Sequence, residues 1–225
     1  MRYAIMSDVH SNVHALTAVL GDVDEQGADV VLCAGDLVGY GAYPNECIEL
    51  LRERRAICIA GNHERAVIAL DVSGMNPLAA SAIYWTAKRI SDAGMGYIRK
   101  LKPRATLNLA GVPAAMFHGS VRKDNEYVYE EDAGPELLAL AKAQMVISGH
   151  THVPYVKRVP EGVLVNPGSV GQPRDGDRRA SYLLYDERQM HFQLRRVEYP
   201  VQEAAKAITA AGLPDFLGAR LSSGI

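Results

Sequence analysis

Five short apolar runs in this chain each end in a small cluster of histidine, aspartate, asparagine and glycine. Tyr3-Ala4-Ile5-Met6 leads into Ser7-Asp8-Val9-His10, and Asp29-Val30-Val31-Leu32-Cys33-Ala34 into Gly35-Asp36-Leu37-Val38-Gly39. Ala56-Ile57-Cys58-Ile59-Ala60 leads into Gly61-Asn62-His63-Glu64, Ala114 to Phe117 into His118-Gly119, and Met145 to Ser148 into Gly149-His150-Thr151-His152. Continuous apolar runs of this length suit strands buried on both faces, which are characteristic of sheets covered by helices. The ends of such strands are where α/β proteins bind ligands. The feature therefore constrains both the fold and the location of its chemistry.

The segments between the runs support an α/β reading. Ser11 or Asn12 can cap a helix carrying Leu16, Val19 and Leu20 on one face. Pro44 suits the first turn of a second helix. Asn76-Pro77 opens a long third helix running through Ile83, Trp85 and Ile90. After Gly94 strands dominate: Thr106 to Leu109, Ala114 to His118, Met145 to Ser148, Val163 to Asn166, Ser181 to Tyr185 and Met190 to Val197. One helix, from Pro135 to about Ala143, interrupts them, and a last one follows Pro200. Glu161-Gly162 marks a hairpin. β/α alternation followed by hairpins predicts two sheets packed together with helices outside. No repeat or linker-like stretch divides the 225 residues, so one domain spanning 1–225 is expected.

A hydrophobic fraction of 48% and a charged fraction of 22% are ordinary for a chain that buries a full core. The formal net charge of −2 supplies no global field for nucleic acid or anionic membrane, and no stable nucleic-acid partner is expected. No apolar stretch approaches the ~20 residues that cross a bilayer. The opening run, broken by Asp8, does not resemble a signal peptide. Three cysteines without paired spacing read as buried free thiols, so a reducing cytoplasm is the expected location.

Each cluster has an ordinary reading when taken alone. Asp8 could serve only as a helix-terminal carboxylate, Gly35-Asp36 could be only a turn, and a lone His118 could be a hydrogen-bonded core residue. Jointly they share one theme, since five of the seven histidines fall at strand ends. Alternation along a strand would place Asp8 and His10 on one side, and His150 and His152 on one side. Histidine with carboxylate, and no cysteine, suits divalent Mn, Fe, Co, Ni or Zn. Seven ligands are too many for one tetrahedral ion and suit two ions sharing a carboxylate. Two such ions carry more positive charge than Asp8 and Asp36 neutralise, which favours an anionic substrate such as a phosphate ester.

The ordered blocks SDVH, GDLVGYG, GNHE, HG and GHTH, with the later NPGSVGQPRDGDRRASY, resemble the calcineurin-like metallophosphoesterase superfamily. Within it they are most similar to its small bacterial and archaeal phosphodiesterase-like members. The resemblance implies a four-layer α/β/β/α sandwich of two mixed sheets with flanking helices. It implies that Asp8, His10 and His152 bind one divalent ion and that Asn62, His118 and His150 bind the other. Asp36 would bridge the two, and manganese is the ion expected. It also implies in-line attack of metal-bound hydroxide on a phosphate ester, with His63 stabilising or protonating the leaving oxygen.

Gly39 and Tyr40 stand where the serine/threonine phosphatases of the superfamily carry an aspartate and an arginine. The aspartate there orients the catalytic histidine and the arginine grips phosphate, so here His63 has no identified orienting partner. A phosphodiesterase acting on a small ester, with a nucleotide or dinucleotide as candidate, is therefore expected ahead of a phosphomonoesterase or protein phosphatase. A non-catalytic metal-binding scaffold is the alternative from another class. Tyr40, Tyr43, Arg122, Lys123, Arg174 and Arg178 are candidates to line the cleft. The run Arg174–Arg179 reads better as a self-paired surface loop, and Asn166-Pro167-Gly168-Ser169 as a turn under the site. Tyr127 and Tyr129 read as part of an edge strand, and His14 and His191 as surface or helix residues.

Overall fold

The computed structural model describes residues 1–225. In chain order the elements are β1 (Arg2–Met6), α1 (Val13–Glu25), β2 (Val30–Cys33), α2 (Pro44–Glu53), β3 (Ile57–Cys58), α3 (Asn62–Ala69), α4 (Pro77–Ala87) and α5 (Asp92–Ile98). There follow β4 (Arg104–Leu109), β5 (Val112–Phe117), α6 (Pro135–Ala141), β6 (Met145–Ile147), β7 (Tyr155–Val159), β8 (Gly162–Asn166), β9 (Ala180–Asp186), β10 (His191–Val197), α7 (Val201–Ala210) and α8 (Asp215–Ala219). A 3-10 turn, Arg220–Ser222, comes last. No helix is long and apolar enough to cross a membrane.

Two five-stranded mixed sheets form, ordered β10-β9-β1-β2-β3 and β4-β5-β6-β8-β7. In the first, β1, β2 and β3 run parallel, with β9 antiparallel to β1. In the second, β5, β6 and β8 run parallel, flanked by antiparallel β4 and β7. The two-residue period of a strand distributes β1 between two cores. Tyr3 and Ile5 point between the sheets with Leu32, Met116, Ile147, Val165 and Leu183. Ala4 and Met6 point the other way, into the larger core under α1, α2, α3, α4 and α7. On the far side α6 alone lays Leu137 and Leu138 over Val146 and Leu164. The architecture is the expected α/β/β/α sandwich, with its helices distributed unevenly between the two outer layers.

Asn12 caps α1, its Oδ1 accepting from the Ala15 amide at 3.1 Å. The helix opened by Asn76-Pro77 stops at Ala87, short of Ile90; Ser91 then caps a separate α5, its Oγ accepting from the Gly94 amide at 3.0 Å. The sequence reading did not delimit β7, the strand before the Glu161-Gly162 hairpin, or α8. It also read Gly61-Asn62-His63-Glu64 as a strand end, whereas Asn62 is the first residue of α3.

Candidate metal centre and substrate cleft

Each expected site residue follows the C-terminal end of a parallel strand. Asp8 and His10 follow β1, Asp36 follows β2, Asn62 and His63 follow β3, His118 follows β5, and His150 and His152 follow β6. The loops after β1 and β2 continue the sheet's hydrogen bonding, with Asp8 N donating to Gly35 O at 3.0 Å and His10 N to Asp36 O at 3.0 Å. They are not extended strand. Asp8, His10, Asp36, His150 and His152 all have positive φ, between 49° and 66°. This corrects the alternation argument: Asp8 and His10, like His150 and His152, converge through left-handed turns. Such backbone costs a non-glycine residue on the order of 1 kcal/mol or more, and it clusters at functional sites.

The side chains form a buried constellation. Asp8, His10, Asp36, His118, His150 and His152 are all under a tenth exposed. Asp8 Oδ1 lies 3.2 Å from His152 Nε2 and 3.6 Å from His10 Nε2. Asp36 Oδ2 lies 3.2 Å from His118 Nε2 and 3.8 Å from His10 Nε2. Asn62 Oδ1 is 2.9 Å from His118 Nε2. Asp8, His10 and His152 form one cluster able to hold an ion; Asp36, His118 and His150 form another. Asp36 also lies in a third possible grouping, with His10 and His63.

What each histidine does with its second nitrogen separates these groupings. His10 Nδ1–H donates to Val38 O at 3.2 Å, His118 Nδ1–H to Ala34 O at 2.8 Å and His152 Nδ1–H to Gln172 O at 2.5 Å. A carbonyl on the far nitrogen is how proteins hold a metal-ligating imidazole with its other lone pair forward. His63 lacks this support, for its Nδ1 is buried without any partner. Burying an N–H donor without an acceptor costs more than leaving a lone pair unpaired. The neutral ring is therefore favoured with its proton on Nε2, the wrong form for a ligand and the right one for a donor.

The residues fit divalent metal binding. With their far nitrogens donating, His10 Nε2 and His152 Nε2 turn lone pairs toward each other at 3.1 Å, which is repulsive unless a cation lies between them. Asp8 Oδ1 is buried with no hydrogen-bond donor. Burial pushes His63, His150 and His152 down, to about 3, 4 and 4. Burial opposes charge on His118 too, but Asp36 beside it raises that imidazole to about 9. Burial likewise opposes ionisation of Asp8 and Asp36, yet His152 and His118 respectively hold both carboxyls below the ordinary carboxylate range. A divalent ion would take over the role of the His118 proton.

The support around the cluster comes partly from residues the sequence reading left without a role. Glu64, fully buried, accepts from the amides of Gly61 at 2.8 Å, Asp36 at 3.0 Å and Val38 at 3.0 Å, which ties the start of α3 to the loop after β2. Burial raises its carboxyl to about 7. Asp36 Oδ1 accepts from the His63 amide at 2.9 Å, doing the capping that Gly61 has no side chain to perform. A Cβ on Gly61 would come within 2.0 Å of that same oxygen. The turn after β8 does underlie the site: Asn166 Nδ2 donates to Gly149 O at 2.8 Å and Ser169 Oγ to Asp8 O at 2.7 Å.

Beside the cluster opens a cleft of about 400 Å³, lined by Tyr40, Asn62, His63, Arg65, Tyr127 and His150 among others. Tyr127 is in an irregular loop rather than an edge strand, and its half-exposed ring lies 4.2 Å from that of His150. Arg65 donates to Ala60 O and to Asn125 at the rim. Of the six residues expected to line the cleft, only Tyr40 does. Arg122 is paired with Glu126 at 2.9 Å and Glu136 at 3.6 Å, and Arg178 faces Glu198 at 3.9 Å. Tyr43 packs on His14, and Arg174 lies over the Tyr40 ring. In the acidic-basic loop, Asp177 holds Arg179 at 2.6 Å while Asp175 pairs with Arg196 of β10.

Comparison with known proteins gives a consistent picture. The family model of the calcineurin-like phosphoesterase superfamily domain matches residues 1–190. An uncharacterised protein of Methanocaldococcus jannaschii is 35% identical over 239 residues, spanning 98% of this chain and 97% of its own. The crystal structure of a metallophosphoesterase from Sphaerobacter thermophilus superposes with a TM-score of 0.87 at 34% identity, covering 100% of this chain and 99% of that one. A hypothetical protein from Pyrococcus horikoshii shares the fold, with a TM-score of 0.90 at 19% identity over 100% of this chain and 98% of its own.

Proposed function

The chain belongs to the calcineurin-like phosphoesterase superfamily, and from that premise we propose that it is a phosphodiesterase dependent on two divalent ions, manganese foremost. Asp8, His10 and His152 would hold one ion, Asn62, His118 and His150 the other, and Asp36 both. The observation that carries the reading is the facing of His10 Nε2 and His152 Nε2 at 3.1 Å beside the undonated Asp8 Oδ1. When bound, the ions would neutralise phosphoryl oxygens and acidify a water. The protein's own part is to fix the ligands, exclude bulk water and stabilise the departing oxygen. His63 Nε2, 3.9 Å from Asp36 Oδ2 on the cleft wall, would donate a hydrogen bond to the departing oxygen and stabilise the charge that gathers there as the P–O bond breaks. A nucleotide-sized diester suits the cleft, with Arg65 as its cation and Tyr127 as its aromatic wall.

The test begins with metal-depleted protein reloaded with Mn, on which ion content and hydrolysis of bis(4-nitrophenyl) phosphate are measured. Two ions per chain are expected, and Asp36→Asn is expected to weaken both sites together. One ion in the wild type, loss of a single site in Asp36→Asn, or no hydrolysis by fully loaded protein would overturn the proposal.

A further inference from the structure

His63 is the ring of the cluster that no hydrogen bond orients. Its Nδ1 is buried without a partner. Nor is there space for a side chain at position 39 to supply one. A Cβ on Gly39, which has φ +90°, would fall 2.0 Å from His63 Nδ1 and 2.9 Å from Cε1. The imidazole thus lies directly against the Gly39 backbone. Apart from Asp36 Oδ2, 3.9 Å from Nε2, its remaining contacts are aromatic: the Tyr40 ring at 4.7 Å, tilted by 53°, and the His10 ring at 4.6 Å, tilted by 66°. Tyr40 and His10 also touch, at 4.7 Å, so the three rings brace one another.

Tyr40 is itself fixed. It is 5% exposed and lies in a left-handed turn with φ 58°. The turn is pinned on both sides, by the Val38 amide on Glu64 at 3.0 Å and by the Gly41 amide on His10 O at 3.0 Å. The Arg174 guanidinium lies 5.9 Å from the centre of the tyrosine ring. Edge and tilted ring contacts at such spacings have an attractive, orientation-dependent energy beyond burial alone. They can hold an imidazole plane without taking either of its nitrogens.

We propose that Tyr40 is the positioning residue of His63, holding the imidazole by ring packing against the bare backbone of Gly39, so that Nε2 stays free and directed at the leaving group. The proposal rests on the reading that His63 serves the departing oxygen. His10 makes the matching contact but is also a candidate ligand, so Tyr40 is the wall that can be altered without removing a ligand. An aromatic wall orients the ring without engaging either nitrogen, which leaves Nε2 for the departing oxygen.

The experiment compares Tyr40→Leu, Tyr40→Met and Tyr40→Phe, each alone and with His63→Ala, on a diester with a poorly acidic leaving group. Ion content is measured alongside, with the ring-proton resonances of His63. A misplaced catalytic group costs up to about 10²-fold. Tyr40→Leu and Tyr40→Met should keep their ions and KM within about threefold while kcat falls by about 10–10²-fold, and the displaced ring-current shift of His63 should collapse. Tyr40→Phe, which keeps the ring, should recover most of the rate. Neither Leu nor Met should lower the rate further once His63 is alanine.

Equal losses with and without His63, an unmoved His63 resonance, or loss of ions in both variants would overturn the positioning role. If His63→Ala leaves the rate on this ester unchanged, the leaving-group reading itself fails. An unmoved His63 resonance on its own would remove only Tyr40's part in that reading. The Leu and Met variants differ in shape and flexibility, so a folding failure of one still leaves the other to decide.

Discussion

His63 and His118 occupy the same buried cluster, yet burial takes the first down to about 3 while Asp36 takes the second up to about 9. The difference follows from what each ring meets: His118 has a carboxylate at 3.2 Å and a carbonyl behind it, His63 a carboxylate at 3.9 Å and nothing behind. Replacing His63 by alanine should therefore leave ion content intact and lower the rate by about 10²–10⁴-fold. The loss should shrink for acidic leaving groups, which depart as stable anions without that hydrogen bond. Metal analysis with rates on two leaving groups checks this, and lost ions would identify a ligand instead. At this scale the sequence was informative because histidine, carboxylate and amide oxygens carry their chemistry in their residue type. Glu64 and Tyr127 were less readable. A carboxylate holding three amides and a tyrosine lying on His150 acquire their roles only from segments distant in the chain.

Helix α1 is locked to the sheet beneath it by Asp22. Its carboxylate accepts from Arg195 Nη2 at 2.6 Å, from Arg195 Nε at 3.0 Å and from the Tyr182 hydroxyl at 2.6 Å, joining α1 to β10 and β9. The Arg195 guanidinium foremost, aided by Tyr182, holds the Asp22 carboxyl below its ordinary value. A depressed folded value means the stabilisation is complete above the unfolded value near pH 4, and is lost as pH falls through the folded one. Asp22→Asn should cost about 1–3 kcal/mol at pH 7, with the gap to wild type closing as acid titrates the depressed carboxyl. Denaturant unfolding followed from pH 7 into acid checks this, and a gap independent of pH would show that shape rather than charge carries the contact. The elements themselves were readable where apolar period and caps agree, as in β1, β2, α1 and α2. Helix α3 was not, because Gly61-Asn62-His63-Glu64 continues an apolar run and reads as its extension. Its start signal, a glutamate three residues after the capping position, was present all the same. The long helix after Asn76 failed at the reverse problem: Ser91 starts a new helix inside one continuous apolar pattern.

Across the whole molecule, the two sheets face each other with β1, β2 and β3 of one and β5, β6 and β8 of the other delivering their C-terminal ends to a common edge. The candidate ligands gather at that edge, and the cleft opens beside them between α3 and the loop carrying Asn125 and Tyr127. What the cleft supplies beyond the ions decides which ester suits it. A phosphomonoester dianion presents more charge than a diester and needs additional cations to match it. The cleft's guanidinium is Arg65, which also donates to Ala60 O and Asn125; Arg122 is held by Glu126 and Glu136 instead of facing inward. Gly39 and Tyr40 bring no charge to the wall. A diester, by contrast, carries a second organic arm that requires room, and about 400 Å³ of cleft beside a half-exposed tyrosine offers it. The protein loaded with Mn should therefore show a higher kcat/KM on bis(4-nitrophenyl) phosphate than on 4-nitrophenyl phosphate, a pair with the same leaving group. The margin should be at least about tenfold, or about 1.4 kcal/mol of transition-state stabilisation. Because the leaving group is common, its acidity cancels and the ratio reports how the site treats the remaining oxygen and arm. A preference for the monoester under those conditions would assign the cleft to phosphomonoesters and remove the diester reading.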